Sequence, residues 1–317
     1  MLGPNFDVPK AGECLEQLAK ARTENNFTMN QLARFAKGLE FRDANTDVHQ
    51  TGTRECLTWR ITSQSAEGNS EETVFTVQGI IVQCDLPPIL RGFGKHTTAR
   101  NIQQRVVITG LDQPTFLSAI EGLNRVNMFL RRHIREDTLP EIHSNAGDHY
   151  TIEVTNRYFT SQRFAANETH VPFPESVDPK GHLERLKTAT FIHTTENDVS
   201  YYERTVSDNG KQKFKEIDPS RFRAGDIVEI QLTLTLAETQ SKSNSVRQTK
   251  ENETKYKTRL VLRGITMLDS RFSEAIRLPA VYAKPHGTSL KRKIGYFAEE
   301  ELQTQEDLKR MAIDSRQ

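Results

Sequence analysis

Two long stretches of alternating apolar and polar residues dominate the pattern of the chain. In FRAGDIVEIQLTLTLAE (222–238), every second residue from Val228 to Leu236 is apolar. In YKTRLVLRGITMLDS (256–270) the alternation changes phase at Gly264, which predicts a β-bulge at that glycine. Such alternation is typical of antiparallel strands with one buried face, so we expect a long hairpin.

Further strands follow from the same two-residue period. LTWRIT (57–62) alternates strictly, and TVFTVQGIIVQCDL (73–86) is a β-branched run with Gly79 in its middle, where we expect a bulge or bend. Asn209-Gly210 is a strong hairpin signal between two short polar strands. The remaining predicted strands span residues 105–111, 150–159, 199–206 and 211–217.

Helices are predicted in four places, of which residues 181–192 form a short one. Residues 113–135 carry Pro114 in the first turn and an apolar stripe at spacings of three and four residues, which predicts a long packed helix. Residues 11–40 predict one or two helices at the beginning of the chain, and residues 299–313 predict a short acidic amphipathic helix near its end.

These elements predict an α+β protein, mainly antiparallel β-structure, with barrel-like or sandwich-like modules around the long helix and flanking terminal helices. VPFPESVDPK (171–180) has three prolines in ten residues and indicates a linker. We therefore expect two domains. Residues 1–170 hold the N-terminal helix and a first β-module with helix 113–135, and residues 171–317 hold a second β-module with hairpin 222–270 and the C-terminal helix.

Motifs for catalysis and metal binding are absent from the sequence. It contains no nucleophile elbow, no phosphate-binding loop and no dinucleotide fingerprint. His143, Asp148 and His149 fit no metal-ligand spacing, and the three cysteines are widely and unevenly spaced. We expect a non-enzymatic protein without metal or cofactor, although a site assembled from distant residues stays open.

Cellular location is a further expectation from the sequence. The first residues lack the basic and apolar regions of a secretory signal, and no run of about 18 apolar residues could cross a membrane. We expect an intracellular protein without a membrane partner. Lys291-Arg292-Lys293 matches a short nuclear import signal, which indicates the nucleus.

Charge is segregated along a chain whose net charge is only +1. RGFGKHTTARNIQQR (91–105) and residues 284–293 each carry a net charge of +4 and contain no acidic residue. Residues 242–259 also carry a net charge of +4, whereas residues 299–307 carry −5. Two of the basic segments connect predicted long strands, where loops of this length are often functional.

Basic loops on a β-scaffold are typical of proteins that bind nucleic acids. We therefore expect an OB-fold-like β-barrel protein that binds DNA, either single-stranded or with low sequence specificity. Phe93 is expected to stack on bases. The residues expected to contact phosphates are Arg91, Lys95, Arg100 and Arg105 in the first segment, and Lys250, Lys255, Lys257 and Arg259 in the second.

A structural or assembly role is the alternative. Long hairpins and segregated charges also suit a self-associating protein with a β-sandwich core. In such a homo-oligomer the acidic C-terminal helix of one copy would dock on a basic loop of its neighbour.

Three parts of the chain carry a resemblance. VDPKGHLERL (177–186), FIHTTENDVSYYER (191–204) and the two alternating strands resemble an uncharacterised multicopy protein family of mushroom-forming fungi. The resemblance covers roughly residues 145–270. It implies a eukaryotic protein associated with mobile elements and with DNA transactions, and it assigns no site residue.

Overall fold

The structure is a computed structural model that describes most of the first 275 residues. Met1–Ile276 form one compact unit. Predictions that concern residues 240–254 and 276–317, including the C-terminal helix and the import signal, lie outside the described residues. The described ranges are 2–3, 6–25, 30–36, 46–53, 56–64, 68–134, 142–146, 149–165, 168–206, 212–239 and 255–275.

Three α-helices and fourteen strands have both ends within these ranges, and residues 271–275 are helical as well. The helices are α1 (Val8–Asn25), α2 (Leu32–Phe35) and α3 (Pro114–Arg132). The strands are β1 (Asn30–Gln31), β2 (Thr46–Thr53), β3 (Cys56–Gln64), β4 (Ser70–Glu72), β5 (Phe75–Asp85), β6 (Gln103–Thr109), β7 (Ser144–Ala146), β8 (His149–Arg157), β9 (Thr160–Ser161), β10 (Phe191–Ile192), β11 (Ser200–Val206), β12 (Gln212–Glu216), β13 (Ile227–Thr239) and β14 (Lys255–Asp269).

Five of these strands close into a barrel. The order around it is β5-β6-β8-β14-β13, and β13 pairs again with β5. The pairing of β8 with β14 is parallel, and the other four pairings are antiparallel. Numbered one to five along the chain, the barrel strands therefore follow the order 1-2-3-5-4. The predicted α+β class with a β-barrel is confirmed.

The parallel contact is the weakest part of the closure. The register of β8 and β14 there is given by one pair, Thr155 opposite Val261. Buried Asn156 reinforces it, because its side-chain amide donates to the carbonyl of Leu262 over 3.0 Å. A side chain thus supplies a hydrogen bond between two strands whose backbones pair only briefly.

The register of the barrel strands confirms one of the two irregularities that were predicted at glycines. The register between β13 and β14 shifts between Gln231 and Leu232, opposite Gly264, so the bulge predicted there is confirmed. Of the bulge or bend predicted at Gly79, the bulge is wrong, since the register shift in β5 lies between Ile81 and Gln83. At Gly79 the neighbouring β6 approaches closely instead, and an added Cβ would lie 2.9 Å from Cδ1 of Ile108.

The core fills the barrel and continues under α3. The apolar face of β13, from Val228 to Leu236, points into it, and α3 contributes Phe116, Leu123 and Leu130. The opposite face of β13 is buried as well. There Glu229 receives two hydrogen bonds from Arg22 of α1 and one from Gln78 at 2.6 Å. The alternation indicated one buried face, but Arg22 of α1 covers Glu229 on the polar face.

Strands outside the barrel extend the sheet on both sides. β3 pairs with β13 and carries β2 and β4, while β11 pairs with β14 and carries β12. The barrel draws strands from both sides of the proline-rich segment 171–180, and this segment lies within the same compact unit. One barrel therefore contains strands that were assigned to two predicted β-modules.

Candidate functional site

The connection between β5 and β6 is fixed to the barrel by a small apolar cluster. The Ile89 amide donates to the carbonyl of Val177 over 3.0 Å, and the peptide Pro87-Pro88 is cis. A 3₁₀ turn, Ala99–Asn101, leads into β6. Five buried residues form the cluster beneath it: Ala99, Ile102, Tyr158, Phe159 and Leu183.

The predicted site residues of this connection differ in exposure. Arg91, Lys95 and Arg100 are exposed. In the part of the chain that the structure describes, these three side chains have no carboxylate partner within ion-pair distance. Phe93 packs against the apolar cluster and is half-buried, so only part of its ring is open to a base.

Arg105 differs from its neighbours because its charge is matched. Its guanidinium lies 3.2 Å from Oδ2 of Asp85 and 3.4 Å from Oε2 of Glu153. Both carboxylates sit on strands that flank β6. A phosphate would compete with two acidic side chains for Arg105, which makes it a weaker candidate contact than Arg100.

The second predicted group is only partly described. Lys257 and Arg259 are exposed on β14. Neither makes an ion pair among the described residues. Lys250 and the side chain of Lys255 lie outside what the structure describes.

Arg157 connects the two groups, and the sequence reasoning missed it. It ends β8 directly opposite Gln103 of β6, which follows the 3₁₀ turn that holds Arg100. Partial burial of its guanidinium, and then the nearby charges of Arg259 and Arg100, lower the pKa of Arg157. The alternation of apolar and polar residues in YTIEVTNRYF places Arg157 on an exposed face. Only the strand order shows which charges surround it. We call Arg100, Arg157 and Arg259 the arginine face.

A network of paired charges borders the arginine face. Arg263, four residues after Arg259 on β14, lies 2.7 Å from Glu72 and 3.0 Å from Glu196. Arg60 of β3 contacts the same two carboxylates, at 2.7 Å from Glu196 and 3.5 Å from Glu72. Burial alone would raise the pKa of Glu196, but the two arginines together hold it below its usual range. The charges of these two arginines are matched, unlike those of the arginine face.

His193, near this end of the barrel, is engaged in packing and hydrogen bonding. His193 is buried, its ring stacks on Phe173 at 4.0 Å, and its Nδ1 hydrogen bonds to the carbonyl of Tyr158 over 2.8 Å. Its Nε2 lies 3.2 Å from Oδ1 of Asp198. Burial is the main cause that lowers the pKa of His193. Among the described residues, no group of three histidine, cysteine or acidic side chains is arranged to hold a metal ion.

Comparisons with protein-family models, with curated proteins and with solved structures found no match. Within the described ranges, none of the helices has the length and apolar character needed to cross a membrane. Interpretation of the site therefore depends on its own geometry and charge.

Proposed function

We propose that the protein binds nucleic acid without catalysis, either as single strands or with low sequence specificity, through the arginine face and the adjoining Arg91, Lys95 and Lys257. The observation that carries this proposal is that Arg157 and Arg259 lie on the paired strands β8 and β14, and Arg100 lies in the turn before β6, which pairs with β8. All three are exposed and have no carboxylate partner among the described residues. Like charges that repel one another are relieved by a polyanion, and phosphate oxygens are natural bidentate partners for guanidinium groups. Binding would release the counterions of the nucleic acid.

The strand order of the barrel supports the same proposal. The order 1-2-3-5-4, with the third and fifth strands parallel, is that of the OB-fold. OB-folds bind oligonucleotides on the second and third strands and with the loops after the first and fourth strands. Here these strands are β6 and β8, and the connection after the first strand is 86–102; residues 240–254, between the fourth and fifth strands, lie outside the described residues. One difference is that α3 follows the second barrel strand, whereas the OB-fold helix normally follows the third.

The test is a titration of the full chain with a labelled oligodeoxythymidine of about 25 nucleotides, followed by fluorescence anisotropy. We expect saturable binding at about 50 mM salt that weakens with a log–log slope near −0.7 for each phosphate contacted. Absence of binding to single-stranded DNA, duplex DNA and RNA under these conditions would disprove the proposal.

A double variant locates the binding surface. Replacing Arg157 and Arg259 with glutamine removes two charges from the arginine face, so we expect at least a tenfold loss of affinity and a salt slope that is shallower by about 1.4. The matched control is the double replacement of Lys20 and Lys213 with glutamine. Both lysines are exposed, on α1 and β12, and their loss changes the net charge equally. Equal effects of the two double variants would show that only net charge matters.

The preference for DNA, and a nuclear location, belong to the same proposal. They are supported by the resemblance of residues 145–270 and by Lys291-Arg292-Lys293. Competition by an unlabelled RNA of the same base sequence tests the preference, and an RNA that competes as well as DNA would contradict it.

Self-association is the second candidate function. β12 stands at one end of the strand order, all of its side chains are exposed, and Phe214 is 49% exposed. An exposed edge strand with an apolar side chain is a template for pairing with another copy. Light scattering over a concentration series tests this function, and a monomer at every concentration would eliminate it.

A further inference from the structure

A second group of basic residues lies beside the connection between β5 and β6. The group, which we call the basic turn, consists of Lys180, His182 and Arg185. A Cβ added at Gly92 of the connection would lie 3.6 Å from Nδ1 of His182, so the two segments run side by side at this point. Arg91, the residue before Gly92, therefore lies next to the basic turn.

The buried carboxylate of Asp178 fixes the backbone of the basic turn. Its two oxygens accept the amide of His182 over 2.7 Å and the amide of Glu184 over 2.9 Å. Lys180 and Arg185 are exposed, and in the part of the chain that the structure describes neither has a carboxylate within ion-pair distance. The buried acid thus binds backbone amides, and the charges of the two exposed side chains stay unmatched.

Glu184, the acid within the sequence of the basic turn, is balanced by partners of its own. Its Oε1 lies 2.6 Å from Nζ of Lys187 and 3.1 Å from Nε2 of His170. An anion that approaches Lys180 and Arg185 would therefore displace no ion pair that these two side chains make among the described residues.

Arg185 is held in place by its neighbours in the basic turn. Its guanidinium donates to the carbonyl of Lys180 over 3.0 Å and to Nδ1 of His182. These contacts use two of its five N–H groups, and the other three have no partner among the described residues. Because Nδ1 of His182 accepts, a neutral imidazole carries its proton on Nε2, which is one more donor. Donors that are already oriented lose little freedom when they bind an anion.

We propose that the basic turn is a second phosphate-binding surface, reached by the same nucleic-acid strand that binds the arginine face. This proposal rests on the proposed function and extends its interface. Arg91 beside the basic turn and Arg100 of the arginine face are nine residues apart in the chain, and hence at most about 30 Å apart in space. At about 3.4 Å for each nucleotide, roughly nine nucleotides cover this distance. That length falls within the range of about 4–16 nucleotides that one OB-fold binds.

The connection itself supplies cations along this path. Arg91 and Lys95 are exposed, and neither has a carboxylate partner among the described residues. A strand that follows the connection therefore meets unmatched cations from Arg100 to Arg185. Arg105 lies in the other direction, on β6, where two carboxylates already match its charge.

Oligodeoxythymidines of two lengths test the proposal. The basic-turn variant, Lys180→Gln/Arg185→Gln, is titrated beside the wild type with probes of about 25 and about five nucleotides. For the long probe, the loss of two phosphate contacts should lower the affinity at least about fivefold at about 50 mM salt and make the salt slope shallower by about 1.4. The short probe cannot span both surfaces and fits on the arginine face alone, so we expect its affinity to change by no more than about twofold.

Two further variants control for charge and for folding. Lys20→Gln/Lys213→Gln removes the same charge from exposed lysines elsewhere. Lys180→Gln alone preserves the hydrogen bonds of Arg185, because the group of Lys180 that accepts from Arg185 is the backbone carbonyl. This single variant should make the salt slope for the long probe shallower by about 0.7, an effect that a disordered turn does not explain.

Each outcome has a distinct meaning. If the long probe binds the wild type and the basic-turn variant equally well, the second surface is refuted while the proposed function stands. Equal losses in the basic-turn variant and the lysine control would reduce the effect to net charge, and equal losses for both probes would contradict the long path. If the wild type binds no nucleic acid, the proposed function fails and the second surface fails with it.

Discussion

Three of the environments that arginine side chains have among the described residues show how the surroundings decide the role. Arg22 is buried against Glu229, and the ring of Phe214 lies 5.4 Å from its guanidinium carbon. Arg263 is paired at the surface of β14. Arg157 and Arg259 have no carboxylate partner among the described residues. A buried pair is costly to break, and an unpaired surface cation is free to bind a ligand.

Substitution of Glu229 tests how much its buried ion pair with Arg22 contributes to stability. Replacing Glu229 with glutamine leaves the charge of Arg22 buried without its counter-charge, so we expect a loss of about 3–5 kcal/mol in the free energy of unfolding. The double variant Arg22→Met/Glu229→Gln removes both charges and should recover most of this loss. Urea unfolding measures both values, and a double variant that is as unstable as Glu229→Gln would contradict the argument.

Titration of Asp226 makes the stability of the protein depend on pH. This side chain is buried, and burial raises its pKa to about 6 against 3.8 for an unperturbed aspartate, even though Ser273 and the Arg223 amide donate to it. Its stabilising contribution is therefore complete below pH 3.8 and is lost as the pH rises through about 6. The stability of the protein relative to Asp226→Asn should fall by on the order of 3 kcal/mol across this range. A difference that stays constant with pH would refute the shift.

At the scale of elements, α2 and α3 pack closely because Gly122 has no side chain. A Cβ at Gly122 of α3 would overlap the carbonyl oxygen of Leu32 in α2, at 1.9 Å. Because the obstacle is backbone, the two helices would have to separate to accept even alanine. Gly122 thus sets the distance between them.

Gly122→Ala should lower the free energy of unfolding by about 1–3 kcal/mol, despite the higher helix propensity of alanine. Gly12→Ala in α1 is the matched control, since its Cβ would meet only the flexible end of Gln113 at 2.7 Å. That variant should be neutral or more stable by up to about 1 kcal/mol. Urea unfolding of both variants checks the pair, and equal stabilities would contradict the role of Gly122.

The elements themselves were largely predictable from sequence, because each depends on local periodicity. The hairpin of β13 and β14, its bulge at Gly264 and the helix that begins at Pro114 follow from spacing alone. Burial of Glu229 did not, since the partner that covers it is on α1, about 200 residues away in the chain. Gly79 was misread because a glycine needed for close approach has the same sequence signal as one in a bulge.

At the scale of the whole molecule, the barrel creates the candidate site. Strand order is a long-range property, and no periodicity in β8 indicates that β6 and β14 lie on either side of it. The sequence therefore indicated two separate basic segments, around Arg100 and Arg259. It could not show that Arg157 stands near both, and that Arg105 is neutralised by Asp85 and Glu153.

Closure of the barrel depends on the same strands. The arginine face and the closure therefore both depend on β8. The side chain of Asn156 bonds to β14, and the next residue, Arg157, belongs to the arginine face. Asn156→Ala leaves the Leu262 carbonyl without this donor and should cost about 1–3 kcal/mol of stability. Urea unfolding checks it, and an unchanged midpoint would show that the backbone pairing alone closes the barrel.

We propose that the unpaired arginines of the arginine face bind nucleic acid. The most direct test is the salt dependence of oligodeoxythymidine affinity for the wild type, for Arg157→Gln/Arg259→Gln and for Lys20→Gln/Lys213→Gln. We expect wild-type binding at about 50 mM salt, at least a tenfold loss of affinity and a slope shallower by about 1.4 in the arginine variant, and wild-type values in the lysine control. No binding by the wild type, or identical salt slopes for the arginine variant and the wild type, would contradict it.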